Sequence, residues 1–225
     1  VGSTTAAVSV ALPSLAKLVS ALIFPAGLAM VVICGVELFT GNNLILIGVL
    51  SGEAKLSGML KNWVLVYIGN LIGSVLIAAL AVYTHCFSLF DGALAQSVVN
   101  AAAGKASLGF GDAFLRGVMC NFLVCAAIWM SMCAKTVGGK IAGLFLPIML
   151  FVLCGYEHSV ANMYYLPAGM FTMAEYGIEN AALTFGGAIR NLVAVTLGNI
   201  VGGAGLFACG AWLAWLKTEK VTAKK

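Results

Sequence analysis

The chain has 225 residues, of which 62% are hydrophobic and only 9% charged, with a formal net charge of +4. A soluble domain carries about 25% charged residues, so this composition excludes one and points to an integral membrane protein. Long apolar runs without ten-residue alternation exclude a barrel in favour of helices.

About 20 apolar residues cross a bilayer as a helix. The first such run covers residues 14–36 and breaks at 37–43. Its continuation, 44–50, is too brief to span alone. Residues 62–83 form the next span, followed by an amphipathic polar stretch at 91–105. Residues 113–134 form a third span. The run 140–155 enters a second break, 160–173 continues beyond it, and 191–216 is the last span. Residues 1–12 read as the end of a severed helix plus a loop. The chain starts with Val1, so the natural N-terminus is expected further upstream. Lys217, Lys220, Lys224 and Lys225 read as a lipid-facing cytoplasmic tail, and no nucleic-acid partner is expected.

Seven cysteines, an odd count without CxxC or metal-ligand spacing, argue against a disulfide framework or a zinc site. Most of them lie within apolar runs, where Cys behaves as a small hydrophobe. Neither a metal nor any other cofactor is expected.

The two breaks match. Cys34-Gly35-Val36-Glu37-Leu38-Phe39-Thr40-Gly41-Asn42 is followed later by Cys154-Gly155-Tyr156-Glu157-His158-Ser159-Val160-Ala161-Asn162, with Cys, Gly, Glu and Asn in register. A hydrocarbon interior offers no water to such groups, so two matched interruptions suggest one site built twice. A second pair supports the duplication. N-x-V-x-V-x-x-G-N-x-x-G occurs from Asn62 to Gly73 and again from Asn191 to Gly202.

The expected organisation is one transmembrane channel domain: repeat one at 1–85, a linker at 86–107, repeat two at 108–217 and a tail at 218–225. The fold class is all-α, with three helices in each repeat and the second of each broken. An odd number of spans per repeat requires the repeats to insert in opposite senses. Lys55, Lys61, Lys135, Lys140 and the tail lysines fall on one side, and Lys17, Lys105, Arg116 and Arg190 near the other. The richer side is expected to be cytoplasmic and to hold both natural termini.

His158 is the sharpest single residue. A lone His in an apolar stretch is usually a satisfied structural group. This one lies inside a break beside Glu157, and its counterpart in the first repeat is Leu38. An intramembrane ionisable group is a functional candidate by default. Such a His can donate a hydrogen bond to an anion or exchange a proton with it. Thr40, in the other break, can bridge to His158 or to a solute, or cap the short helix that follows. Glu37 and Glu157 are expected to accept hydrogen bonds from freed backbone N–H groups, because a bare carboxylate in an anion pathway repels its solute. Asn42 and Asn162 are expected to tie each break to a neighbouring helix. Phe24, Leu28, Leu38, Phe39, Val124 and Phe151 can form constrictions beside the breaks or simply pack. Gly69, Gly73, Gly198, Gly202 and Gly203 read as sites of close helix approach rather than a nucleotide loop.

At these residues the chain resembles the formate/nitrite transporter family. The likeness is carried by both break motifs, by 61–70, by 196–203, and by Asn121-Phe122-Leu123-Val124-Cys125 with Trp129 in the span before the second break. It covers nearly the whole chain. It implies an aquaporin-like six-helix protomer with one pore each, assembled as a homopentamer in the inner (cytoplasmic) membrane of a bacterium, with the first helix largely missing here. Thr40 and His158 are implied to line a central chamber. Phe24 and Phe151 match an outer constriction, and Leu28, Leu38 and Val124 a cytoplasmic one. Lys105 matches a vestibule lysine that attracts anions, and Asn121 a polar residue near His158. The implied solutes are small monovalent anions of weak acids, namely formate, nitrite and hydrosulfide, with protons as partners. The chain departs from formate-channel sequences in the stretches joining the helices, and overall it is more similar to clostridial hydrosulfide-channel members.

A neutral-solute channel of the aquaporin type is the alternative. It uses Asn-Pro-Ala at both half-helix starts, and neither Asn42 nor Asn162 is followed by Pro-Ala. A haem-holding subunit needs two facing ligands, whereas His158 is central and His85 lies at a helix end. No nucleophile–base pair accompanies His158, so no catalytic residue is expected.

Overall fold

The computed structural model describes residues 12–217. Their regular structure is entirely helical. The expectations for residues 1–11 and for Lys220, Lys224 and Lys225 fall outside the described residues.

Helix α1 (Pro13–Ile23) and α2 (Pro25–Cys34) form one 22-residue apolar segment, about 33 Å at 1.5 Å per residue and so long enough to cross a bilayer. Pro25 lacks an N–H and divides it at Phe24. Gly35 then ends α2 in the left-handed region, at φ 67°. After residues 36–40 the chain re-coils through a tight turn, Gly41–Leu44, into the short α3 (Ile45–Leu50). Helix α4 (Leu56–Tyr83) has 28 residues, beginning six before the sequence reading placed it. The amphipathic stretch is α5 (Ala93–Ala106), and α6 (Phe110–Met132) follows.

Helix α7 (Val137–Leu153) ends near a second left-handed glycine, Gly155, at φ 69°. Helix α8 (Ser159–Tyr176) continues beyond that break. Helix α9 (Phe185–Ile200) runs on through wider π-type turns to Leu216, and the 32-residue segment Phe185–Leu216 is apolar enough to span. Thr136 and Thr184 cap α7 and α9 by accepting the N–H groups of Gly139 and Gly187.

Helix α6 lies between α7 and α9, α4 and α5 pack on α8, and α1 and α2 pack on α7. The closest approach is between α6 and α9. A Cβ on Gly198 would sit 2.2 Å from the Phe114 carbonyl oxygen, and one on Gly202 would sit 2.0 Å from that of Val118. Gly69 and Gly73 differ from the expectation, since nothing lies within 4 Å of a Cβ at either. They sit on a face of α4 that also exposes Leu65, Ile68, Ile72 and Leu76, the pattern of a helix whose solvent is hydrocarbon. The largest buried cluster joins Leu28, Val124, Leu144, Ile148 and Phe151, so α2, α6 and α7 share one apolar seam.

Gly202→Ala is therefore expected to cost about 2 kcal/mol or more by forcing α6 from α9, whereas Gly69→Ala should stay within about 0.5 kcal/mol. Melting curves of the detergent-solubilised protein decide this. Equal losses at both sites would mean that α4 packs closely against something outside the protomer.

Candidate functional site

Each break leaves peptide groups that helix geometry would have paired, and within hydrocarbon they need partners from the chain itself. One asparagine serves each break. The Asn70 amide donates to the Glu37 carbonyl at 3.1 Å and accepts from the Phe39 N–H at 2.9 Å. The Asn199 amide donates to the Glu157 carbonyl at 3.0 Å and accepts from the Ser159 N–H at 2.9 Å. A planar amide presents donor and acceptor side by side, so it can replace the missing peptide partners on both sides of one residue.

The carboxylates are bonded differently from the sequence expectation. They accept from side-chain amides rather than from backbone N–H groups. Asn162 Nδ2 donates to Glu157 Oε2 at 2.6 Å and to Asn191 Oδ1 at 2.7 Å. Asn42 Nδ2 likewise donates to Glu37 Oε2 and, at 2.8 Å, to Asn62 Oδ1. A carboxylate cannot donate, so it cannot satisfy a carbonyl and an N–H together, and the clamp falls to asparagine. Asn42 and Asn162 do tie each break to a neighbouring helix, through Asn62 on α4 and Asn191 on α9. All four asparagines that receive the breaks lie in the repeated N-x-V-x-V-x-x-G-N pattern. That pattern was visible as duplication, but its bonding role was not.

The unshared residues meet. His158 Nε2 lies 2.9 Å from Thr40 Oγ1. His158 Nδ1 accepts the Ala161 N–H at 3.0 Å, which caps α8. A neutral imidazole has one donor and one acceptor nitrogen, so with Nδ1 accepting, Nε2–H donates to Thr40. Thr40 makes no side-chain cap of the turn after it, because its hydroxyl is turned towards His158. Asn121, also fully buried, does not bond His158 directly. Its amide donates to the Asn199 carbonyl at 2.7 Å and so supports the clamp.

Two cavities adjoin His158, whereas Thr40, expected to line the same chamber, is wholly buried and lines neither. The first, about 450 Å³, is polar at its rim and includes Lys17, Asn100, Lys105, Arg116 and Glu157. The second, about 410 Å³, is apolar, with Leu28, Leu38, Val124 and Ile148 in its wall. Phe24, Phe151, His158, Ala161, Tyr164 and Tyr165 line both. Phe24 and Phe151 meet edge-on with ring centres 5.3 Å apart, and Phe151 stacks on His158 at 6.0 Å. Phe39 lies elsewhere. Its ring packs edge-on against Tyr67 at 5.0 Å and Trp63 at 6.2 Å, and it lines neither cavity. Its neighbour Leu38 takes the cavity side because the clamped residues alternate in direction.

Lys105 is not an isolated cation. Its Nζ is 2.9 Å from Glu157 Oε1 and 5.4 Å above the Tyr165 ring. Sequence reasoning missed Tyr164 and Tyr165, which are adjacent in the second turn of α8 and resemble ordinary interfacial aromatics.

Asn199→Ala leaves the buried Ser159 N–H and Glu157 carbonyl unpaired, at about 1–3 kcal/mol each. The expected result is a clear fall in melting temperature together with loss of any His158-dependent activity. Unchanged stability would show that water replaces the clamp.

The formate/nitrite transporter profile matches residues 1–213. A probable formate transporter of Methanothermobacter thermautotrophicus is 42% identical over 217 residues, spanning 90% of this chain and 77% of its own. A formate channel of Haemophilus influenzae is 37% identical over 215 residues, spanning 90% and 76%. Among solved structures, a pentameric formate channel with formate bound aligns with TM-score 0.79 at 37% identity, covering 90% of this chain and 84% of that one.

Proposed function

The chain belongs to the formate/nitrite transporter family, and from that premise we propose that it carries formate, nitrite and hydrosulfide through a pore within each protomer. It is a multi-pass membrane transporter rather than an enzyme. The observation that carries the proposal is the pair of cavities meeting at Phe24 and Phe151 beside the Thr40–His158 hydrogen bond.

In this reading a small anion enters the polar cavity, where Lys105, shared with Glu157, offsets its charge. It then meets the Phe24–Phe151 contact and, past His158, the apolar wall of Leu28, Leu38 and Val124. A bare anion faces a severe dehydration cost against such surfaces, and the neutral acid a far smaller one. His158 stands where the change of form is needed. Its Nε2–H is a donor available to an anion if Thr40 yields it. Proton exchange through Nδ1 requires the ring to leave the Ala161 N–H. Thr40 holds the tautomer, and Glu37, Asn121 and Asn162 hold the backbone that presents both residues.

The family relation also supports an inverted repeat of three helices per half, the first beginning before the described residues. It supports a homopentamer too, since a solved relative is a pentameric formate channel. The lysine distribution supports cytoplasmic natural termini, and the family relation an inner-membrane location.

Flux of formate, nitrite and hydrosulfide into proteoliposomes, measured from pH 5 to 8 with glycerol as a neutral control, tests the function. The expected result is saturable anion flux without glycerol flux, and glycerol passage alone would replace the reading with a neutral-solute channel. His158→Asn keeps an acceptor at the Nδ1 position for the Ala161 N–H but cannot titrate, and should flatten the pH profile. An identical profile would remove His158 from proton exchange.

A further inference from the structure

The polar cavity contains three cationic side chains, Lys17, Lys105 and Arg116, but a single carboxylate, Glu157. Lys105 already holds that carboxylate at 2.9 Å. Among the described residues no acidic side chain lies within 4 Å of Lys17 or Arg116. These two converge from different helices on one point of the rim. Lys17 Nζ, from α1, lies 3.8 Å from where a Gly155 Cβ would sit. The Arg116 guanidinium, from α6, reaches the Gly155 carbonyl at 3.5 Å. The Arg116 carbonyl also accepts the Glu157 N–H at 3.3 Å, which fixes the base of its side chain against the break.

We infer that Lys17 and Arg116 form an outer docking subsite for small monovalent anions, occupied before the solute reaches Lys105, and that Arg116 favours anions with two oxygens. This rests on the anion-channel reading. The cavity carries an excess of two positive charges, and the two cations without a carboxylate partner stand at its rim. Positive charge lining a low-dielectric cleft raises the local concentration of anions. The guanidinium is a planar fork of donors that matches formate or nitrite in two parallel hydrogen bonds, whereas an ammonium acts as a point charge. Hydrosulfide offers no second oxygen, so it senses only charge. The contrary explanation is that both cations merely complement the carbonyl end of α7.

Both side chains are exposed, so neutral replacements leave the packed structure intact. Lys17→Gln and Arg116→Gln are expected to raise the half-saturating formate concentration roughly fivefold each at low salt, with maximal flux held and the salt dependence reduced. Arg116→Lys should restore hydrosulfide saturation to the wild-type value and formate only in part. A second readout does not depend on flux: formate should slow acylation of Lys17 in the solubilised protein, followed by mass spectrometry, relative to sulfonate buffer of equal ionic strength. Unchanged half-saturation in both Gln variants, or Lys17 labelling indifferent to formate, overturns the subsite and leaves the α7 explanation. If wild-type protein passes no anion while formate still shields Lys17, the transport reading fails and the subsite stands.

Discussion

Every peptide group inside a bilayer must find its partner within the protein, and this chain breaks two helices there. The rest of the structure follows from how those breaks are satisfied. Asn70 and Asn199 each bridge a carbonyl and an N–H two residues apart, replacing the bonds a helix would have made. Once the clamps exist, the residue between them is held with its side chain pointing away from the clamping helix. In one repeat that residue is Leu38, in the other His158. The scaffold is thus indifferent to what it displays, and chemical difference can accumulate at the displayed position without loss of the fold.

Much of the architecture was legible from residue pattern. Apolar run length placed the spanning segments to within six residues at either end, because the thickness of hydrocarbon fixes helix length. The paired motifs located the breaks, since a carboxylate and a glycine interrupting an apolar run have few other meanings. A bridge between Thr40 and His158, 118 positions apart, was one of the options the two motifs offered, because each is polar where its counterpart, Val160 or Leu38, is apolar. What pattern could not supply was direction. Phe39 and Leu38 are adjacent and both apolar, yet only Leu38 reaches a cavity, and that choice is made by Asn70 on another helix. Nor could it tell packed glycines from open ones. Gly198 and Gly69 occupy equivalent places in the same motif, but only Gly198 meets a neighbouring backbone within the protomer.

The distribution of charge is equally asymmetric. Glu37 accepts hydrogen bonds from amides alone, while Glu157 has both an amide and the Lys105 ammonium. The ammonium comes from the amphipathic helix α5. It thus joins the second break to α5, and the Asn191 amide reinforces the joint by donating to the Lys105 carbonyl at 2.9 Å. The polar cavity is consequently built on one break only, which gives the passage two chemically different ends.

The aromatic contact where the two cavities meet is made by two side chains rooted in separate helices. Phe24 stands at the joint between α1 and α2, immediately before Pro25, and Phe151 near the end of α7. An edge-to-face pair holds with about 0.5–1.5 kcal/mol beyond its buried area. The larger hold on Phe151 is its burial, so the ring owes its place to the seam shared by α2, α6 and α7, and Phe24 leans on a partner that is already fixed.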